Sequence, residues 1–92
     1  MEIAIMIFSY TAAVLTVVAF IPQVLKAVRD KNTDGISVYM YAVFLTALLC
    51  WVIYGILKVD WSIILANGLT FLLGAVVLVF KCINIKTKGE KP

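Results

Sequence analysis

Charged residues divide this chain into three long apolar runs, Ile3 to Leu25, Ile36 to Leu57 and Trp61 to Phe80, of 23, 22 and 20 residues. At about 1.5 Å per helical residue the runs extend ~34, ~33 and ~30 Å, enough for a hydrocarbon core about 30 Å thick. In lipid every backbone amide and carbonyl must be satisfied internally, which leaves helices and closed barrels. Unbroken apolar runs suit helices, because a barrel strand alternates apolar and polar residues. The pattern predicts an all-α integral membrane protein forming one membrane domain over 1–92. Its spans fall at about 3–25, 36–57 and 61–80, joined by a loop at 26–35 and a turn at 58–60, with a tail at 81–92.

Composition points the same way. Of the 92 residues 64% are hydrophobic and 14% charged, against about 45–50% and 25% in soluble domains. A chain this short cannot hide so much apolar surface in a core, and one so apolar does not stay disordered. The first run reads as a span rather than a cleaved signal, since only Glu2 precedes it and its 23 residues exceed the usual ~7–15 of a signal's apolar region.

Lysine and arginine set the orientation. Lys26, Arg29 and Lys31 follow the first run and Lys81, Lys86, Lys88 and Lys91 follow the third, leaving only Lys58 on the other side. The side rich in basic residues is expected to be cytoplasmic, with the N-terminus outside and the C-terminus inside. The link Lys58-Val59-Asp60 makes the second and third spans an antiparallel hairpin. No basic helix interleaved with polar groups is present, so no nucleic-acid partner is expected.

Catalytic chemistry has no support: there is no His, no CxxC, no nucleophile–base pair and no phosphate loop. No enzyme activity, cofactor or metal site is expected. Cys50 and Cys82 are separated by ~20 Å in depth at helical rise, too far for a disulfide. No ionisable residue lies well inside a run, where a coupled pump usually carries one. Movement down a gradient is therefore expected.

The polar groups inside the membrane remain. Ser9, Thr16 and Gln23 recur every seven residues with Ala12 and Ala19, a small polar stripe of the kind helix contacts favour. Pro22 removes one backbone bond and crowds the Val18 carbonyl, kinking or loosening the first helix. Met40, Phe44, Ala47, Trp51 and Tyr54 share one face of the second helix. Trp61 sits at the membrane interface, as tryptophan usually does, but Trp51 lies ~9 Å deep. Asn67 lies at the same depth on the third helix. An indole and a carboxamide so matched favour a binding pocket over simple interhelical glue. Ala66, Asn67, Thr70 and Gly74 give the third helix a small face suited to central packing.

These residues resemble a known family. Phe20-Ile21-Pro22-Gln23 is similar to the PQ-loop signature, and Lys31-Asn32-Thr33-Asp34-Gly35-Ile36-Ser37 looks like the loop that follows it. Trp51-Val52-Ile53-Tyr54-Gly55 and Asn67-Gly68 resemble the tryptophan and asparagine segments of SWEET sugar transporters. With three spans, the chain resembles a bacterial SemiSWEET over essentially its full length.

The resemblance implies a triple-helix bundle with the third helix between the first two, working as a parallel homodimer with the path between the copies. Three helices alone enclose no path wide enough for a sugar. It implies uniport of a small neutral sugar by alternating access in a bacterial inner membrane. Trp51 and Asn67 would bind the sugar, the indole stacking on a pyranose face and the amide meeting hydroxyls. Pro22 with Gln23 would form a hinge, Phe20 and Met40 an inner gate, and Tyr54, Lys58 and Asp60 an outer gate. The partners would be the sugar, a second copy and the bilayer.

Three other readings stay open on sequence. A PQ-loop carrier of a non-sugar substrate would be expected to show an ionisable intramembrane residue. A holin-like pore shares the topology and basic tail but has no need of Pro22-Gln23 or of depth-matched Trp51 and Asn67. A non-transporting assembly subunit would use its polar faces only as interfaces.

Overall fold

The computed structural model covers all 92 residues and consists of three helices: α1 (Glu2–Val28), α2 (Val38–Lys58) and α3 (Trp61–Lys88). Each is long and apolar enough to cross a membrane. The protein is a multi-pass, all-helical membrane protein, as the three runs predict.

The helix ends depart from the ends of the apolar runs, for local reasons. α1 carries on through Lys26 to Val28, because a lysine in the last turn faces the negative end of the helix dipole. α2 begins two residues after Ile36, since Ser37 takes extended backbone and its hydroxyl accepts from the Met40 amide at 3.3 Å. Asp60 caps α3. Its carboxylate accepts from the Ser62 and Ile63 amides at 3.1 and 3.4 Å and from the Ser62 hydroxyl at 2.7 Å.

α3 runs on to Lys88 and stops at Gly89, whose φ of +71° is the left-handed conformation glycine adopts freely. A charge ends an apolar run without ending a helix, and lysine is a good helix former. Residues 89–92 then turn back, so that the Val38 amide donates to the Pro92 main-chain oxygen at 2.9 Å.

α3 packs against both α1 and α2, which do not pack on each other as helices. Small residues allow the close approach. A Cβ added at Gly74 would lie 2.8 Å from Leu45 Cδ2, and one at Gly55 would lie 3.2 Å from the Ile64 backbone nitrogen. The buried face of α2 is Tyr41, Leu45, Leu48 and Gly55. Ala27, Tyr41 and Val77 form the central cluster, with Phe20, Val24 and Ile36 against it.

The result is a slab with extents of 51 × 23 × 14 Å, little thicker than one helix with its side chains. Only 12 of the 92 residues are buried, so both broad faces are open to lipid or to another chain. The polar stripe of α1 lies in this open surface. Ser9 and Thr16 donate to the Met6 and Ala12 carbonyls of their own helix at 3.1 and 2.7 Å. Ser9 is half-buried and Thr16 and Gln23 are exposed, so no part of the stripe is closed over within one chain.

Candidate functional site

Asn67 sits on the side of α3 that faces α1, six residues into the helix. Its Nδ2 donates to the Ile63 carbonyl at 2.9 Å, and its carbonyl oxygen takes no bond within the chain. It lines a cleft of about 260 Å³ together with Ser9, Ala12, Thr16, Ser62 and Ala66. The intramembrane hydroxyls of α1 and the carboxamide of α3 thus share one half-open space. A single chain supplies donors and acceptors there but no aromatic platform.

Trp51 borders no part of that cleft. It is 51% exposed on α2, its ring set edge-on to Tyr54 with centroids 5.5 Å apart and an interplanar angle of 87°. The whole sequence-derived face of α2, Met40, Phe44, Ala47, Trp51 and Tyr54, is exposed. One chain therefore leaves Trp51 exposed and Asn67 half-buried, without bringing them together in one cleft.

Toward the C-terminal end of α1, Pro22 lies inside an otherwise continuous helix. Phe20 meets two rings of α2. Its ring stacks on Phe44 at 5.9 Å and 14° and tilts against Tyr41 at 6.4 Å, while Met40 is 61% exposed. The Tyr41 hydroxyl donates to Gln23 Oε1, so the glutamine after the proline is tied to α2. Below these rings a second cavity of about 330 Å³ is lined by Gln23, Lys26, Asn32, Asp34, Met40 and Tyr41. Tyr41 and Phe44 bridge α1 and α2 where the sequence singled out Met40. The spacing of Tyr41 and Phe44, one turn apart and opposite Phe20 at the inner end, was the available signal.

At the α2–α3 turn, Tyr54 and Lys58 are exposed near the end of α2. Lys58 and Asp60 make no ion pair within the chain, whose single ion pair is Lys81–Glu90. The Asp60 carboxylate is instead engaged by the start of α3. The Ser62 hydroxyl, and after it the Ile63 and Ser62 amides, hold its carboxyl below the ordinary aspartate value. Cys50 and Cys82 are both free.

The protein-family model described as the PQ loop repeat matches residues 4–64. The chain is 47% identical over 77 residues to the sugar transporter SemiSWEET of Escherichia coli (strain UMEA 3162-1), covering 84% of this chain and 86% of that protein. It is 44% identical over 75 residues to the sugar transporter SemiSWEET of Leptospira biflexa serovar Patoc, covering 82% and 88%. Its fold matches a crystal structure of SemiSWEET in the inward-open conformation with a TM-score of 0.85, 43% identity and coverage of 97% and 95%.

Proposed function

This chain belongs to the PQ-loop family, and within it to the SemiSWEETs, and from that premise we propose that it carries a small neutral sugar down its gradient across a bacterial inner membrane. Family membership sets aside the holin-like reading. The observation that carries the sugar reading is the open cleft in which Ser9, Thr16, Ser62 and Asn67 stand among alanines and Ile63, free of ionisable groups. Such a lining offers hydroxyl and amide partners to a hydroxyl-rich solute without demanding that it carry charge.

The working unit is a parallel homodimer. A slab 14 Å thick encloses nothing, and the face of α2 from Ala47 through Trp51 to Tyr54 is left exposed by its own chain. A second copy related by an axis along the membrane normal closes the path, with two indoles of Trp51 and two amides of Asn67 facing one sugar. The indole supplies an apolar face for the C–H surface of a pyranose, and the amide donates to and accepts from its hydroxyls.

Alternating access then needs a part that bends and parts that close. Pro22 leaves the Val18 carbonyl without its backbone donor, so α1 is weakest one turn from the point where Phe20 meets Phe44 and Tyr41. A bend there moves Phe20 and opens or shuts the inner side, with Met40 lining the space beneath. Tyr54, Lys58 and Asp60 close the outer side, and a Lys58–Asp60 pair forms across the two copies rather than within one. The N-terminus lies outside and the C-terminus in the cytoplasm.

Counterflow of a radiolabelled sugar panel in proteoliposomes tests this reading. The expected result is saturable exchange of at least one neutral mono- or disaccharide, and exchange of none of them refutes it.

A further inference from the structure

Four side chains at the inner end are withdrawn from solvent together: Thr33 of the α1–α2 loop, Lys81 and Asn84 of α3, and Glu90 of the segment after it. Thr33, Lys81 and Asn84 are 0, 2 and 3% exposed, and the Glu90 side chain 9%. Lys81 Nζ donates to Glu90 Oε1 at 2.9 Å and to the Thr33 carbonyl at 3.2 Å. The Thr33 hydroxyl donates to the same Glu90 oxygen at 2.7 Å. Asn84 Nδ2 donates to that hydroxyl at 2.8 Å and to the Lys31 carbonyl at 3.1 Å.

A lysine at a membrane boundary ordinarily extends its head to water and is almost never fully buried unpaired. Lys81 does the reverse, with its ammonium group held inward by a carboxylate from one segment and a carbonyl from another. Gly89 turns the chain back to present Glu90. The bond from the Val38 amide to the Pro92 oxygen extends the fastening to the first turn of α2. Loop 29–37, which hands α1 on to α2, is thus sewn to α3 from three sides. Neither the hinge nor the gates make use of these groups.

We propose that Lys81 and Glu90 form a latch that fastens the α1–α2 loop to α3, and that transport requires this latch to stay closed while α1 bends at Pro22. The second clause rests on the transport reading above. The mechanical reason lies in the position of the weak point. Gln23 accepts from the Tyr41 hydroxyl, Ala27 is fully buried and the loop beyond it is pinned, so both ends of the inner segment of α1 are held. A bend at Pro22 must then displace the residues around Phe20. With the loop free, the same bend swings residues 23–28 and leaves Phe20 where it is.

Lys81→Met opens the latch without leaving a buried charge, since Glu90 is then free to reach water, and Lys81→Arg keeps the pair as the rescue. Amide hydrogen exchange of residues 31–38, sugar binding by calorimetry and sugar counterflow are measured on each protein. For Lys81→Met, exchange over 31–38 rises by about tenfold or more. Sugar affinity stays unchanged, maximal counterflow falls by about fivefold or more, and Lys81→Arg stays near the parent protein in all three. Thr33→Val, which removes the shared hydroxyl and no charge, moves exchange and counterflow in the same direction and stands in if Lys81→Met does not fold. Unchanged exchange overturns the latch. Raised exchange with full counterflow overturns its coupling to transport. A parent protein that moves no sugar refutes the transport reading and the coupling with it, while the exchange comparison on the same samples still upholds or refutes the latch.

Discussion

Replacing Gly55 with alanine isolates the contact that holds the outer hairpin together. The added Cβ lies 2.9 Å from Ile63 Cγ2, 3.0 Å from Ile64 Cγ1 and 3.2 Å from the Ile64 backbone nitrogen. Ile64 Cγ1 is placed by χ1 of a β-branched side chain and moves away only by leaving its favoured rotamer. The Ile63 methyl is on a β-branched carbon with one favoured rotamer in a helix, and the backbone nitrogen retreats only if α2 and α3 separate. Overpacking of this kind costs about 1–3 kcal/mol, and the alanine returns about 1 kcal/mol of helix propensity. Gly68 is the control, because an added Cβ there meets nothing within 4 Å, so only the propensity gain applies. The difference between Gly55→Ala and Gly68→Ala is then the overpacking term itself, which at about 4–8 °C per kcal/mol is a clear separation in Tm. Thermal unfolding in one detergent, followed by circular dichroism, measures both. Equal melting of the two variants, or a higher Tm for Gly55→Ala, refutes close α2–α3 approach as the constraint on this position.

Other expected outcomes follow from the same geometry. Trp51→Ala and Asn67→Ala each abolish sugar counterflow while leaving expression and dimer formation intact on size-exclusion chromatography; near-parent counterflow in either removes that residue from the binding site. Sugar exchange does not respond to an imposed proton or sodium gradient, and accumulation above equilibrium on either gradient refutes uniport. Glu90 is held below its ordinary 4.5, first by Lys81 and then by the Thr33 hydroxyl, and Asp60 below its ordinary 3.8 by its cap bonds. With both values lowered on folding, their stabilisation is complete above about pH 4.5 and is lost as pH falls through the lowered values. Tm is therefore flat above about pH 5 and declines below it, and Asp60→Asn, which retains a capping oxygen, loses its share of that decline. Pro22→Ala restores the backbone donor and stiffens α1, so sugar binding by calorimetry survives while counterflow falls; full counterflow removes the hinge.

The three spans were legible because hydropathy acts on whole segments. A run of 20 or more apolar residues has one low-energy solution in lipid whatever its neighbours do. The central place of α3 was legible from Ala66, Asn67, Thr70 and Gly74, since small residues announce close approach. Which face points where was not. Ser9, Thr16 and Gln23 look like a packing stripe by composition, yet on one chain Thr16 and Gln23 are exposed. A helix in lipid has no water-facing side to break the tie between a buried polar stripe and an open one. Phe20 likewise names an inner gate by position, but its ring partners, Phe44 and Tyr41, depend on the rotation of α2 about its own axis.

Lys81 marks where reading by residue type stops. In the sequence it is the first charge after an apolar run, and counting basic residues to orient the chain needs nothing more than its presence. In the fold it is 2% exposed, and its partners lie nine residues ahead at Glu90 and 48 residues back at Thr33. No local pattern announces such a pairing, because a lysine beside water and a lysine against a carboxylate are the same letter. The distinction is set by Gly89, which stops α3 and reverses the chain, so that Glu90, one letter of the tail in the sequence, becomes the counter-ion of a buried lysine. The same lysine that would satisfy the orientation rule from the surface thus binds the loop, α3 and the returning segment into one body.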